Sequence, residues 1–248
     1  MEISLKAEHL FSIGNFSITN GLLLAAVVAL LLITFSIIFK TKIKMVPGKV
    51  QAVVEMGLEG LLDLMESVLG TRAAAEKYLP LIATIFIFVL TSNWLGLLPG
   101  VGSFEFKEGE KFIPLLRSPA ADLNFTLALA IIAVFTTNFF GIVVLGTFAH
   151  IKKFINFSSP INFFVGILEF LSEISRVISF SFRLFGNIFA GEVLLTIIFF
   201  LLPYIVPIPF MFMEIFFGAI QALIFAMLTL VFLSASIASH GEEHATEH

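Results

Sequence analysis

The chain has no cysteine, one tryptophan and two tyrosines among 248 residues, and only 13% of its residues are charged. The lack of cysteine excludes disulfides, thiol catalysis and thiolate metal sites, and leaves the redox compartment undefined. The shortage of charge excludes more. A soluble domain of this size carries about a quarter charged residues, so most of this chain has no means of facing water. There is no basic stripe either. The formal net charge is −4, and without a nucleic-acid module nucleic acid is not an expected partner. The sequence contains no glycine-rich phosphate loop, which argues against a nucleotide site.

What is present is apolar. Hydrophobic residues make up 58% of the chain, 31 of them phenylalanine, and the mean hydropathy is +1.05. The solvent this composition suits is lipid. The expected fold class is an all-α membrane protein, with about five embedded helices and a surface amphipathic helix.

The organisation follows from the apolar runs. Residues 1–20 are polar and precede the first span at 21–39. No basic stretch lies directly before that run and no small-residue cleavage site follows it. It therefore reads as an anchor stopped by Lys40, Lys42 and Lys44, not as a removable signal. Residues 46–70 alternate apolar positions with Glu55, Glu59, Asp63 and Glu66 at helical period, and Pro47 suits a helix start. This is the expected surface helix. Further spans are expected at 79–98, 123–149, 160–202 and 210–238, with a mixed-charge loop at 100–119 and a proline turn at Pro203, Pro207 and Pro209. Residues 239–248 form a polar tail. Trp94 and Tyr78 read as interfacial anchors. The segment 160–202 would be about 60 Å long as one helix, against a hydrocarbon core of about 30 Å. It must tilt steeply, break, or run along the interface, and two tilted helices joined by the proline turn is the expected form. No internal repeat is visible, which disfavours an inverted-repeat transporter.

Basic residues set the orientation. Lys40, Lys42, Lys44, Lys49, Arg72, Lys77, Lys152 and Lys153 fall on one side, and Lys6, Lys107, Lys111 and Arg117 on the other. The first side is expected to be cytoplasmic, with the N-terminus outside and the C-terminus inside.

The chemistry is concentrated in the long segment. Glu169, Ser172, Arg176, Ser179, Arg183 and Asn187 follow one another at steps of three or four, so a helix puts them on one face. A polar stripe on an apolar helix must face protein, water or a pore. Arg183 is the demanding member. An arginine at mid-membrane costs at least about 3 kcal/mol, and it cannot escape by losing its proton. No acid lies at i±3 or i±4 from it, so its partner is expected on another helix or subunit. Arg176 has Glu169 and Glu173 within reach. In the last segment Glu214, Gly218 and Gln221 share a face that can meet Asn187 and Glu192 across an antiparallel helix pair. Two neighbouring carboxylates in low dielectric would not both ionise easily, so one could relay a proton.

The run Ser181-Phe-Arg183-Leu-Phe-Gly-Asn187-Ile-Phe-Ala-Gly-Glu192 resembles the signature of subunit a of F-type ATP synthases. Gln221-Ala-Leu-Ile-Phe225, Asn93 with Leu97-Leu98-Pro99, and Ser118-Pro-Ala-Ala-Asp122-Leu-Asn124 resemble the same family, in the same order and spacing. The likeness runs from about Leu79 to Ser236 and is weakest before residue 70. It implies a stator subunit of a bacterial inner-membrane rotary motor. That subunit packs against a rotor ring of hairpin subunits, each with one mid-membrane carboxylate, and is held by peripheral-stalk subunits. Protons reach the ring through two offset half-channels. The resemblance puts the essential arginine at Arg183 and the outer half-channel at Asn187, Glu192, Glu214 and Gln221, with Asp122 and Asn124 near its mouth. The inner acid falls on Glu169 with Ser172 nearby, and Arg176 and Asn93 are supporting positions. Some family members carry histidine where Glu214 stands here, which leaves the pH profile of the outer path open.

A sodium-coupled version of the same subunit is the nearest alternative. An autonomous channel or transporter predicts flux from the isolated chain, and an inert scaffold predicts none that depends on Arg183. No cofactor is expected. His240, His244 and His248 would align on a helix and could hold zinc, but a solvated tail is the simpler reading, so no metal site is expected.

Overall fold

The computed structural model describes residues 9–13, 16–98, 105–108, 111–147 and 160–238. The histidine tail and Lys152–Lys153 lie outside the described residues. Among the described residues, five helices are long and apolar enough to cross a membrane. They are α1 (Asn20–Lys42), α3 (Arg72–Gly96), α4 (Leu123–Leu145), α5 (Pro160–Leu201) and α6 (Pro207–Ala238). A sixth helix, α2 (Lys49–Leu69), is amphipathic. The chain is an all-α membrane protein apart from two short antiparallel hairpins. These are β1 (His9–Ile13) with β2 (Phe16–Thr19), and β3 (Glu105–Glu108) with β4 (Lys111–Pro114). The second hairpin occupies part of the stretch expected to be a loop. Strand pairing satisfies backbone groups there that a loop would leave to water.

Helix ends are set by local chemistry rather than by where the apolar run stops. Thr19 caps α1 by accepting from the Leu22 N–H, and Lys40 and Lys42 fall in its last turn, where cations suit the helix dipole. α2 begins after Gly48, so Pro47 stands outside the helix it was expected to open. It ends at Gly70, whose φ of +78° is the left-handed value glycine adopts without strain, and whose N–H reaches Glu66 O. α3 starts at Arg72, seven residues before the expected span, with Thr71 as its cap. An apolar window finds only the lipid-facing stretch. The helix extends beyond it through Ala73, Ala74 and Ala75, which are good helix formers. Pro80 lies inside α3. Thr84 Oγ1 donates to Pro80 O at 2.6 Å in the turn that follows. α4 ends at Leu145, short of the expected boundary, because Gly146 takes φ +87°. Pro207 and Pro209 lie in the first turn of α6 rather than in the preceding turn. Proline fits there because first-turn N–H groups have no helical partner.

α6 is the central helix, in contact with α3, α4, α5 and α2, while α4 packs along α5. The core is made where they meet: Tyr78, Ile82 and Val89 of α3, Ala130 and Ala133 of α4, Leu184 and Ile188 of α5, and Ala222, Ala226 and Leu230 of α6. Small residues let the helix backbones approach closely, which is how helices associate without help from water. Phe180 of α5 sits between Phe225 and Phe232 of α6, with ring centroids 5.1 and 5.2 Å away. A buried hydrogen bond of 3.0 Å joins Thr126 of α4 to Ser181 of α5. Tyr78 is no interfacial anchor: it is 3% exposed and meets Phe140 edge to face at 5.4 Å. Its ring volume is worth more to the core than to the boundary.

α2 is joined to α3 by apolar and charged contacts. Leu61, Leu62 and Met65 are buried in the common core. Arg72 reaches back to Glu59, Asp63 and Glu66, the acidic face legible in the sequence.

The packing makes a direct prediction. Ala226→Leu, at a fully buried position, should lower stability by about 1–3 kcal/mol through overpacking. Ile132→Ala, on a lipid-exposed face, should change it by no more than about 0.5 kcal/mol. Thermal unfolding in nanodiscs measures both, and equal shifts for the two variants would contradict this packing.

Candidate functional site

α5 is continuous through all 42 residues. It does not break into two pieces, so the polar residues spaced along it share a face as the periodicity requires. Ser172, Ser175, Arg176, Ser179 and Arg183 of α5, with Leu228 and Phe232 of α6, line an open groove of about 380 Å³. Glu169, Ser172 and Arg176 are half-buried, whereas Ser179, Arg183 and Asn187 are exposed. The stripe therefore runs from the bundle interior out onto its surface.

Arg183 Nη2 lies 3.5 Å from Ser179 Oγ, one turn away. Among the described residues, no carboxylate comes within ion-pair distance of it. At Gly186, on the same side, a side chain would meet open space. The charge is thus presented outward beside a small residue, with the polar side chains of Ser179 and Asn187 exposed one turn to either side.

Asn187 and Gln221 meet as the antiparallel pairing predicts, with Asn187 Nδ2 donating to Gln221 Oε1 at 2.6 Å. Glu214 is buried, 3% exposed, and packed so closely on Gly191 that a methyl group there would overlap its carboxyl. Glu192 has a different partner. Arg117 reaches it from the connector before α4, with Nε 3.0 and 3.2 Å from the two carboxyl oxygens and Nη2 3.2 Å from one of them. The two acids expected to form a pair thus occupy unlike settings, one bound by a guanidinium and one enclosed by helix backbone.

Asn93 Nδ2 donates to Gly218 O at 3.0 Å and Trp94 Nε1 to Ile215 O at 3.0 Å. These two bonds tie the end of α3 to the stretch of α6 that carries Glu214 and Gln221. Five buried polar atoms in this region have no hydrogen-bond partner among the described residues: Ser92 Oγ, Asn93 Oδ1, Ser118 Oγ, Glu214 Oε1 and Gln221 Nε2. Buried polar atoms without protein partners are ordinarily met by water. Asp122 has a local duty: it caps α4 by accepting from the Asn124 N–H at 3.0 Å. The Asn124 side chain is exposed.

Toward the Pro160 end, Arg176 donates to Glu173 at 2.6 Å and lies 3.9 Å from Glu169. Both contacts are those the helical spacing allows. Sequence reasoning missed Arg117, Ser92 and Ser118 as members of the site. Arg117 read as one more outer-loop charge, and no spacing rule connects a connector residue to a helix 75 positions away. Ser92 carried a weak signal as the neighbour of Asn93. Among the described residues no cluster of acids and histidines suits a metal ion.

Fold and site together define a multi-pass membrane protein built to hold one arginine at a helix surface. Residues 22–234 match the family profile described as ATP synthase A chain. Over 239 residues the chain is 36% identical to ATP synthase subunit a of Gloeobacter violaceus, covering 96% of this chain and 92% of that protein. It is 37% identical to ATP synthase subunit a of Campylobacter concisus, over 88% of this chain and 89% of that protein. It is 30% identical to that of Moorella thermoacetica, over 95% of this chain and 98% of that protein. The chain belongs to the ATP synthase A chain family.

The contact between Gly191 and Glu214 can be tested alone. Gly191→Ala should force the Glu214 carboxyl out of its place and cost about 1–3 kcal/mol. The double variant Gly191→Ala with Glu214→Ala should recover stability relative to that single change. A double variant no more stable than Gly191→Ala in thermal unfolding would show that the two positions do not compete for space.

Proposed function

We propose that the chain is the proton-conducting stator subunit of a rotary ATP synthase, facing a ring of rotor subunits that each carry a mid-membrane carboxylate. The observation that carries this reading is Arg183, exposed on a membrane-length helix with Ser179 beside it at 3.5 Å and no carboxylate in ion-pair reach among the described residues. A guanidinium stays charged at any physiological pH, and lipid does not solvate it. An acidic partner from another subunit meets that need.

The proposed mechanism uses the surroundings of Arg183. A rotor carboxylate drawn toward the guanidinium is favoured as its anion, so it gives up its proton as it arrives. The fixed cation repels free protons and separates the two half-channels. Asn187, Gln221, Glu214 and Glu192 form the outer path, with Asp122 and Asn124 toward its mouth. Asn93 holds α3 against that path. The partnerless polar atoms near Glu214 and Gln221 support a hydrated route there. Glu169 and Ser172 form the inner path, with Arg176 in support; the groove shared by Ser172 and Arg183 favours this assignment. Each proton crossing releases about 2.3 kcal/mol per 100 mV of membrane potential. That work reaches ATP through other subunits, and this chain binds no nucleotide in the proposed scheme. We place it in a bacterial inner membrane, N-terminus outside and C-terminus in the cytoplasm, attached to peripheral-stalk subunits.

The test is Arg183→Ala in the whole complex, assayed in inverted membrane vesicles. ATP-driven proton pumping and ATP synthesis should both be lost, while the detached catalytic sector still hydrolyses ATP. Pumping at the wild-type rate would refute the proposal.

A further inference from the structure

Two arginines open into one groove. Arg176 and Arg183 both line it, and seven residues of helix separate them by only about 10 Å along the axis. Their surroundings differ. Arg183 has Ser179 at 3.5 Å. Arg176 is held on several sides: its guanidinium donates to Glu173 Oε1 at 2.6 Å and lies 3.9 Å from Glu169. It also lies over the ring of Phe232 on α6, 4.7 Å from the centroid. Glu173 is fixed in turn. Its second oxygen accepts from Asn138 Nδ2 of α4 at 3.2 Å, and Asn138 is braced on its own helix through Val134 O at 2.9 Å. Glu173 is the less exposed partner, with 13% of its side chain accessible against 21% for Arg176.

We infer that Glu173 is a charge-compensating residue of the proton path: by neutralising Arg176 it leaves Arg183 as the one unbalanced cation of the groove. The inference rests on the stator reading above and deepens it. Three helices contribute to this ion pair, a larger investment than a lone snorkelling arginine needs. The electrostatic reason is direct. A second free cation about 10 Å away in a poorly screened site would repel protons moving along the groove. It would also offer the rotor carboxylate a competing place to rest. An arginine pinned against Glu173 and Phe232 does neither. Glu173 acts through Arg176 and is a positioning residue; in this scheme it does not itself carry the proton.

The experiment compares four forms of the whole complex in inverted vesicles: wild type, Glu173→Gln, Glu173→Gln with Arg176→Gln, and Arg183→Ala. Immunoblotting of the subunit in the membrane corrects for assembly. Glu173→Gln should lower ATP-driven proton pumping about tenfold, because Arg176 loses its closer carboxylate and is left to Glu169, the inner-path acid 3.9 Å away. The double variant should recover most of that loss, because it removes the cation that Glu173 had balanced. A purely structural role predicts the opposite, since the double variant deletes both sides of the packing contact. Normal pumping by Glu173→Gln, or a double variant no better than the single one at equal subunit amount, would overturn the inference. Arg183→Ala separates the two levels: if it pumps normally the stator reading fails, whereas if it is silent and rescue is absent only the role of Glu173 falls.

Discussion

A guanidinium cannot shed its charge, and hydrocarbon cannot solvate it. That constraint organises the molecule. Arg183 is held on α5, with Leu184 at the next position buried in the core and Ser181 two positions earlier bonded to Thr126. The helix is thereby fixed in rotation, and Arg183 is turned outward. The bundle does not hide this charge. It keeps the charge at the surface, next to open space at Gly186.

The other arginines show what this chain does with a cation it is not presenting. The sequence contains four arginines. Arg72 is spread across the acids of α2 at the surface. Arg117 is matched with both oxygens of Glu192, the fork geometry at which arginine exceeds lysine. Arg176 is matched by Glu173 and covered by Phe232. Only Arg183 lacks a carboxylate among the described residues. The contrast carries more weight than burial would, because all four were folded by the same chain under the same rules.

Much of this was legible before any coordinates. Helical period alone put Glu169 to Asn187 on one face, and it put Gln221 opposite Asn187, which the 2.6 Å hydrogen bond bears out. Apolar runs located each spanning helix. They failed at helix ends, since caps such as Thr71 and Gly146 are not apolar signals. They failed for Tyr78, because a polar tip does not reveal whether a ring faces the boundary or the core. The pairing of Glu192 was out of reach for a different reason. Spacing describes neighbours within a helix or across a hairpin of helices, whereas Arg117 arrives from a connector whose path depends on the whole bundle. The separate settings of Glu192 and Glu214 were therefore a tertiary fact, not a sequence fact.

The length of α5 follows from the same constraint as its charge. In lipid, a break in a helix leaves backbone groups unsatisfied at several kcal/mol each, so continuity is the inexpensive choice even at 42 residues. A helix of about 63 Å does not fit upright in a core of about 30 Å, so it must lean. Arg183 stands about 35 Å from the Pro160 end and about 27 Å from the Leu201 end, close to the middle. A helix that leans about its middle keeps its central residue near the midplane whatever the angle, while its ends are carried outward. Glu169 and Glu192 lie on opposite sides of Arg183 along α5, so they fall toward opposite ends of the helix at any angle that leaves Arg183 near the centre. One uninterrupted helix thus carries polar residues on both sides of Arg183 with no break in its backbone hydrogen bonding.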